Sequence, residues 1–343
     1  MKRNIILVFV VLWAGRAFAG LVDVEKVSDR VLVLNFKTSG ISNLVAVKGQ
    51  KGLVMIDTEV SPGVMRPIKQ EIERQFQRDD WAYVVNTHAH MHHAGGNSLF
   101  EGAKIVGHDN LAADMQWIID YQKSDEDKKR FFEHAEKTIK DSRAKLKSAG
   151  ADEKEKIEGE IEFWKLLRKD LYNGYEVLMP TMTFSDRTVL NLGDIKLELI
   201  YFGKGHSDSD ILVYIPEEKV LVTSGVCYDR LQGFNGEVTL EDIERSISVL
   251  EEFIDDEVEL KRIVPAHEKS ITKKELEQKH NYFKTMLEGL RTAKQNGKTI
   301  EQAKEEFSVQ KKFPFYNTKW QDPQEVQDRQ NQNIEVFWNL LDK

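Results

Sequence analysis

The chain has 343 residues, 41% of them hydrophobic and 31% charged, with a formal net charge of −8. That composition is ordinary for a soluble globular chain with a sizeable core, and it suits one large domain, or one domain carrying an insertion. The acidic balance argues against nucleic acid as a bulk partner, and the single cysteine, Cys227, excludes an intrachain disulfide.

The first element is a secretory signal. Lys2 and Arg3 precede an apolar run from Ile5 to Trp13, and Ala17-Phe18-Ala19 stands before Gly20. A charged start, a short apolar stretch and an A-x-A site predict a signal peptide over residues 1–19. The run is short for a membrane span, and no cysteine follows it to carry a lipid. The mature protein, from residue 20 to 343, is expected to be periplasmic or secreted, with no stable membrane anchor after cleavage.

Strand-like runs follow. "RVLVLNF" and "NLVAVKG" alternate, and "GLVMIDT" reads as a buried strand ending at Asp57. "PGVMRPIKQEIERQF" is an amphipathic helix, and "WAYVVNT" is a strand that delivers the chain to His88. "AKIVGH" is a short strand, followed by a helix over "DNLAADMQW" with Asp109 as its cap.

Between about residues 120 and 175 charge dominates, and apolar residues recur at helical spacing: Phe132, Ala135, Ile139 and Leu146, then Ile157, Ile161, Trp164 and Leu171. Ser124 and Asp127 have capping-box spacing, and "SAGAD" reads as a turn. This predicts an inserted helical hairpin, either solvated helices laid on the body or a lid or dimer arm. Strands resume with "TVLNLGDIKLELIYFG", "ILVYIPEEKVLVTSG" and "RIVPAH". "TLEDIERSISVLEEF" is a helix started by Thr239 with Asp242 at its third position. A C-terminal helical extension runs over about 272–343, its last helix opened by Asp322-Pro323.

The histidines carry the chemistry. There are nine, and "NTHAHMHHAGGN" holds four of them, His88, His90, His92 and His93. With His206 and His267 these follow apolar β runs, in the loops where rigid scaffolds present functional groups. His88 and His90 with His206 make a three-nitrogen site with a fourth position open to water, the pattern of a catalytic zinc. His134 and His280, in charged helices, are expected to be solvated, and His108 is unclustered.

"GLVMIDT", "THAHMHHAGG", "GKGHSDSDILVY", "LVTSGV" and "IVPAH", in that order, resemble the metallo-β-lactamase-fold superfamily over roughly residues 24–270, the insertion aside. The resemblance implies an α/β fold, a four-layer αβ/βα sandwich, here with an inserted helical hairpin and C-terminal helices. It implies that His88, His90 and His206 ligate a first metal, and that His93 and His267 ligate a second. It places Asp57 and Asp210 as supporting carboxylates behind the ligands. The ligand pattern is nearest the third subclass of class B β-lactamases.

Two positions depart from the family pattern. His92 stands where the family motif has Asp, and Val226 stands where a bridging Asp or Cys is expected. Cys227 comes one residue late, which on a strand points it to the opposite face, so it reads as a small buried hydrophobe. An imidazole in place of Asp brings no negative charge, so the expectation is one firm zinc and a weaker second one, with His92 as a ligand or as a base. The reaction implied is attack of metal-bound hydroxide on an amide, lactone, ester or phosphoester of a small-molecule substrate, β-lactams included. The alternatives are a non-catalytic or weakly active metal-binding member of the fold and, less favoured, a mononuclear iron dioxygenase.

Overall fold

The structure is a computed structural model that describes residues 22–36, 42–227, 230–234, 237–267, 270–316 and 322–342. The expected signal peptide at 1–19 lies outside the described residues. The chain forms two compact units. The first comprises the chain up to Phe184 with Asn191–Lys196, and the second comprises Ser185–Leu190 with everything from Leu197 onward.

The first unit is built on a seven-stranded sheet in sequential order. Strands β1 (Val22–Lys26), β2 (Val31–Phe36), β3 (Leu44–Gly49) and β4 (Gly52–Ile56) form an antiparallel meander. From β4 the pairing turns parallel, because helix α1 (Pro62–Phe76) carries the chain across to β5 (Trp81–Val85). Every residue of β4 is buried, as its unbroken apolar run requires. Helix α1 begins at Ser61, whose hydroxyl accepts from the Val64 N–H, with Pro62 at the first helical position. It packs Val64, Met65, Ile68, Ile72 and Phe76 against Leu53, Met55 and Val84 of the sheet.

The short helix α2 (Met91–Ala94) follows β5, and β6 (Lys104–His108) pairs parallel beside β5. The expected cap Asp109 is not one. Helix α3 (Leu111–Asp114) begins after Asn110, and no side chain caps it. The cap position falls on Asn110, because Asp109 still follows the sheet edge, its N–H bonded to the Phe184 carbonyl.

Helix α4 (Gln116–Lys123) leads into the hairpin of α5 (Asp125–Leu146) and α6 (Ala151–Asn173). Ser124 caps α5 by accepting from the Asp127 N–H at 3.2 Å. Ile139, Ile157 and Ile161 form the seam between the two helices. Phe163, Leu167 and Leu171 of α6 join the core of the first unit, and the Tyr175 hydroxyl donates to the Val60 carbonyl at 2.8 Å. The root of the hairpin is therefore fastened to the loop after β4. Strand β7 (Met182–Phe184) closes this sheet.

The second unit is built on a five-stranded sheet of β8 (Arg187–Asn191), β9 (Lys196–Tyr201), β10 (Ile211–Ile215), β11 (Val220–Ser224) and β12 (Arg262–Pro265), in the order β12-β11-β10-β9-β8. Helix α7 (Leu240–Ile254) makes the parallel crossover from β11 to β12, and Thr239 and Asp242 form the expected capping box. Helix α8 (Lys273–Gln295) packs on α7. After α9 (Ile300–Glu306) and α10 (Val309–Lys312), α11 (Pro323–Leu340) starts at Asp322, which accepts from the Gln324 N–H at 2.8 Å.

Two histidines and the cysteine can be placed here. His134 is exposed beside the Trp164 ring, as expected of a solvated residue. His280 is not solvated. It is buried on the face of α8 that packs on α7, and its ring nitrogen meets Glu251 at 3.1 Å. Cys227 is fully buried among apolar neighbours, and burial pushes its thiol up to about 12, as expected of a small buried hydrophobe. It lies three residues past the end of β11 and Val226 is buried beside it, so packing rather than strand register buries it. No helix among the described residues is long and apolar enough to cross a membrane.

Candidate metal centre

The histidine loop begins at the end of β5. Asn86 donates its N–H to the Val106 carbonyl, so the ladder holds the chain up to the residue before Thr87. Three imidazoles of this loop, those of His88, His92 and His93, offer ring nitrogens that lie within 4.8 Å of one another. His88 and His93 are buried, and His92 is half-buried. His88 Nε2 also lies 3.0 Å from His90 Nδ1. Two nitrogens bound at about 2.0–2.1 Å to one tetrahedral zinc are about 3.3 Å apart, so this pair is spaced for a shared ion.

Asp57 orders the loop from behind. It ends β4 with φ of +63°, in the left-handed region where Asp is one of the better-tolerated residues. Its carboxylate is 2% exposed and accepts from the Thr87 N–H at 2.8 Å, the Thr87 hydroxyl at 2.7 Å and His93 Nδ1 at 2.7 Å. An ionised carboxylate can only accept, so Nδ1 of His93 carries the proton and Nε2 keeps its lone pair. Nε2 lies 3.1 Å from the Ser42 hydroxyl. A carboxylate on one nitrogen and a lone pair on the other, here met by the Ser42 hydroxyl, is the arrangement that prepares an imidazole for a metal.

The His93 backbone is pinned as firmly as its ring. Its carbonyl accepts from the Thr58 N–H at 2.9 Å and from the Asn86 side chain at 2.8 Å. Asn97 completes the clamp by donating to Asn86 Oδ1 at 2.8 Å and accepting from the Thr58 hydroxyl at 2.8 Å. Gly96 permits the approach. A Cβ there would sit 2.1 Å from the Thr58 carbonyl oxygen.

Glu59 is a further buried carboxyl, also at positive φ (+60°). It accepts from the Ser42 N–H at 3.2 Å and from the Val60 N–H. Burial pushes it well above the usual carboxylate range, and nearby Asp57 adds to the shift. Reading the sequence for chemistry finds Asp57 and the histidines but passes over Ser42, Glu59, Thr87, Asn86 and Asn97. The one available signal is that Asn86 and Asn97 bracket the motif.

In the second unit, His206 lies half-buried in the loop between β9 and β10. That loop is wound around Asp210, whose carboxylate accepts from the His206 N–H at 2.7 Å, the Ser207 N–H and the Ser207 hydroxyl at 2.7 Å. Asp210 thus shapes the backbone that carries His206. His267 is half-buried two residues past the end of β12.

The donor set fits a zinc-type ion. Neutral imidazoles oriented by a buried carboxylate are borderline-soft nitrogen ligands with a lone pair available.

The model of the metallo-β-lactamase superfamily matches residues 38–267, more than half of the chain. The chain is similar to a solved metallo-β-lactamase from Pontibacter korlensis, with 18% identity, 77% of this chain and 99% of that chain covered, and a TM-score of 0.49. It is also similar to the stereoselective inverting sec-alkylsulfatase Pisa1 from a Pseudomonas species, at 12% identity, with a TM-score of 0.57 over 94% of this chain. The chain spans only about half of that sulfatase, 51% of its length. Among curated proteins it is similar to the alpha subunit of 2,4-dinitroanisole O-demethylase from a Nocardioides species, 29% identical over 90 residues, which are 26% of this chain and 26% of that one. The α/β fold, the ordered motifs and the extent of the family match make this chain a member of the metallo-β-lactamase superfamily.

Proposed function

We propose that this protein is an exported, zinc-dependent hydrolase of small-molecule amides, lactones, esters or phosphoesters, β-lactams included. The observation that carries this reading is the convergence of His88, His92 and His93 nitrogens over the buried Asp57. His88 and His90 would hold the first zinc, with His206 as the third ligand by its place in the family motif. His93 and His267 would hold the second, weaker one. Zinc bound there supplies a water acidic enough to act as a nucleophile near neutral pH.

The chain's own residues do the rest. Asp57 keeps the proton on His93 Nδ1 and so presents Nε2. The Asn86–Asn97–Thr58 clamp holds the loop against the pull of a ligand. His92 stands where a carboxylate would take the proton of the attacking water. Its nitrogen lies in the same cluster as those of His88 and His93, which favours a ligand role over a purely basic one. The same replacement favours a second reading, a weakly active or non-catalytic metal-binding member of the fold, because a site of imidazoles alone adds no charge to offset two divalent ions.

The test is metal analysis of the purified mature protein with hydrolysis assays on nitrocefin, a lactone and a phosphodiester. About one zinc per chain, with turnover lost in His88→Ala, supports the hydrolase. Bound metal without turnover on any of the three, unchanged by His88→Ala, would leave the non-catalytic reading. In His92→Asp the second zinc should bind more tightly, and equal affinity would refute the charge argument. Fractionation of expressing cells tests export separately.

A further inference from the structure

Lys279 lies on α8, beyond the residues that match the family, and is 6% exposed. Its ammonium donates to Gln232 Oε1 at 2.9 Å and lies over the Phe283 ring, 4.8 Å from the centroid. Among the described residues no carboxylate lies within ion-pair distance of it. A buried cation satisfied only by a neutral amide and a ring face is costly, and such groups are normally paired. Gln232 is itself held in place, since Asn333 donates to its carbonyl at 2.8 Å and its own amide donates to the Gly225 carbonyl.

Lys279 lines a small cleft of the second unit together with Phe202, Lys204, His206, Asp210 and Gln232. The other lysine there is compensated, with Lys204 Nζ 3.6 Å from Asp208. Asp210 attracts the ammonium from beyond ion-pair distance, but its oxygens accept from the His206 and Ser207 donors. The interior free volume is about 20 Å³, room for one water-sized group. The cleft therefore offers a buried ammonium that makes no ion pair among the described residues, space for a single oxygen atom, and a candidate zinc ligand on its wall.

We propose that Lys279 is a specificity-determining residue that receives one oxygen of an anionic group on the substrate, a carboxylate or a sulfate, and so selects oxyanion-bearing substrates. Burial lowers the lysine's ordinary value of 10.5 to about 8, which leaves it a cation at neutral pH. The proposal rests on the reading that His206 belongs to the catalytic metal site, but the anion site itself does not require a metal.

Isothermal titration calorimetry of the full-length mature protein with sodium sulfate tests it, with sodium chloride holding ionic strength constant. Wild type is expected to bind sulfate saturably, and Lys279→Met to weaken binding about ten- to hundred-fold. Lys204→Met should weaken it much less. Lys279→Arg, which keeps the charge, should retain more affinity than Lys279→Met. Equal binding by Lys279→Met and wild type would overturn the proposal. So would the absence of saturable binding to wild type, a result that does not depend on any variant folding. Running the titration on His88→Ala separates the two readings. Sulfate binding kept there while hydrolysis persists sinks the hydrolase mechanism and leaves the anchor standing. Sulfate binding lost there places the anion on the metal and overturns the anchor.

Discussion

The proton on His93 Nδ1 is fixed by Asp57, 2.7 Å away, and both groups are almost fully buried. This one contact joins the end of β4 to the helical turn that carries two of the clustered histidines. It also decides which nitrogen of His93 would face a metal.

Asp57→Ala should therefore damage both metal binding and folding. It leaves the Thr87 N–H and His93 Nδ1 without their acceptor, which costs about 1–3 kcal/mol for each buried donor that water does not reach. Zinc affinity should fall about ten- to hundred-fold. Urea unfolding and chelator competition measure the two effects. A variant that keeps wild-type zinc affinity would show that Asp57 is not an orienting group.

Gly96→Ala should loosen the loop without removing any polar group. The new Cβ overlaps the Thr58 carbonyl, so the loop and the segment after β4 must separate, at a cost of about 1–3 kcal/mol. Zinc content after dialysis should fall along with the melting temperature.

Glu59 makes stability depend on pH in a stated direction. Its folded-state value is raised above the ordinary 4.5, so its favourable contribution is complete below 4.5 and is lost as pH rises through the folded value. Glu59→Gln removes this titration. Wild-type stability minus that of Glu59→Gln should decline with rising pH from about 4.5 upward, measured by urea melts in a pH series. A flat difference would mean that the carboxyl is solvated.

Lys279 works in the opposite sense. Its value is lowered from 10.5 to about 8, so below pH 8 the folded state bears the cost of a buried cation. The shift corresponds to about 3 kcal/mol. Lys279→Met should be more stable than wild type at pH 7 by up to that amount, the advantage shrinking as pH rises through 8 and vanishing above 10.5. A loss of stability at pH 7 would assign Lys279 a structural role.

Much of the scaffold was legible in the chain. The helix over Pro62–Phe76 follows from Ser61, Pro62 and the apolar spacing, and the capping box at Thr239 and the side-chain cap at Ser124 depend only on neighbours in sequence. The strands leading into Asp57, His88, His206 and His267 follow from apolar runs that end in polar loops. Local signals of this kind survive folding because their partners lie three or four residues away.

Where the partner is distant, the sequence is silent. Asp109 reads as a cap, but the helix begins one residue later, after Asn110. His280 reads as solvated until the packing of α8 on α7 buries it. The clamp of Asn86, Asn97 and Thr58 around the His93 carbonyl has no periodicity to betray it. The Lys279 ammonium beside Gln232 joins residues 47 positions apart. Sequence determined which residue types reach the loops at the strand ends, because hydrophobic patterning sets where strands stop. Tertiary structure alone decided which polar groups are buried, and therefore which protons and charges are fixed, because desolvation depends on what packs from elsewhere in the chain.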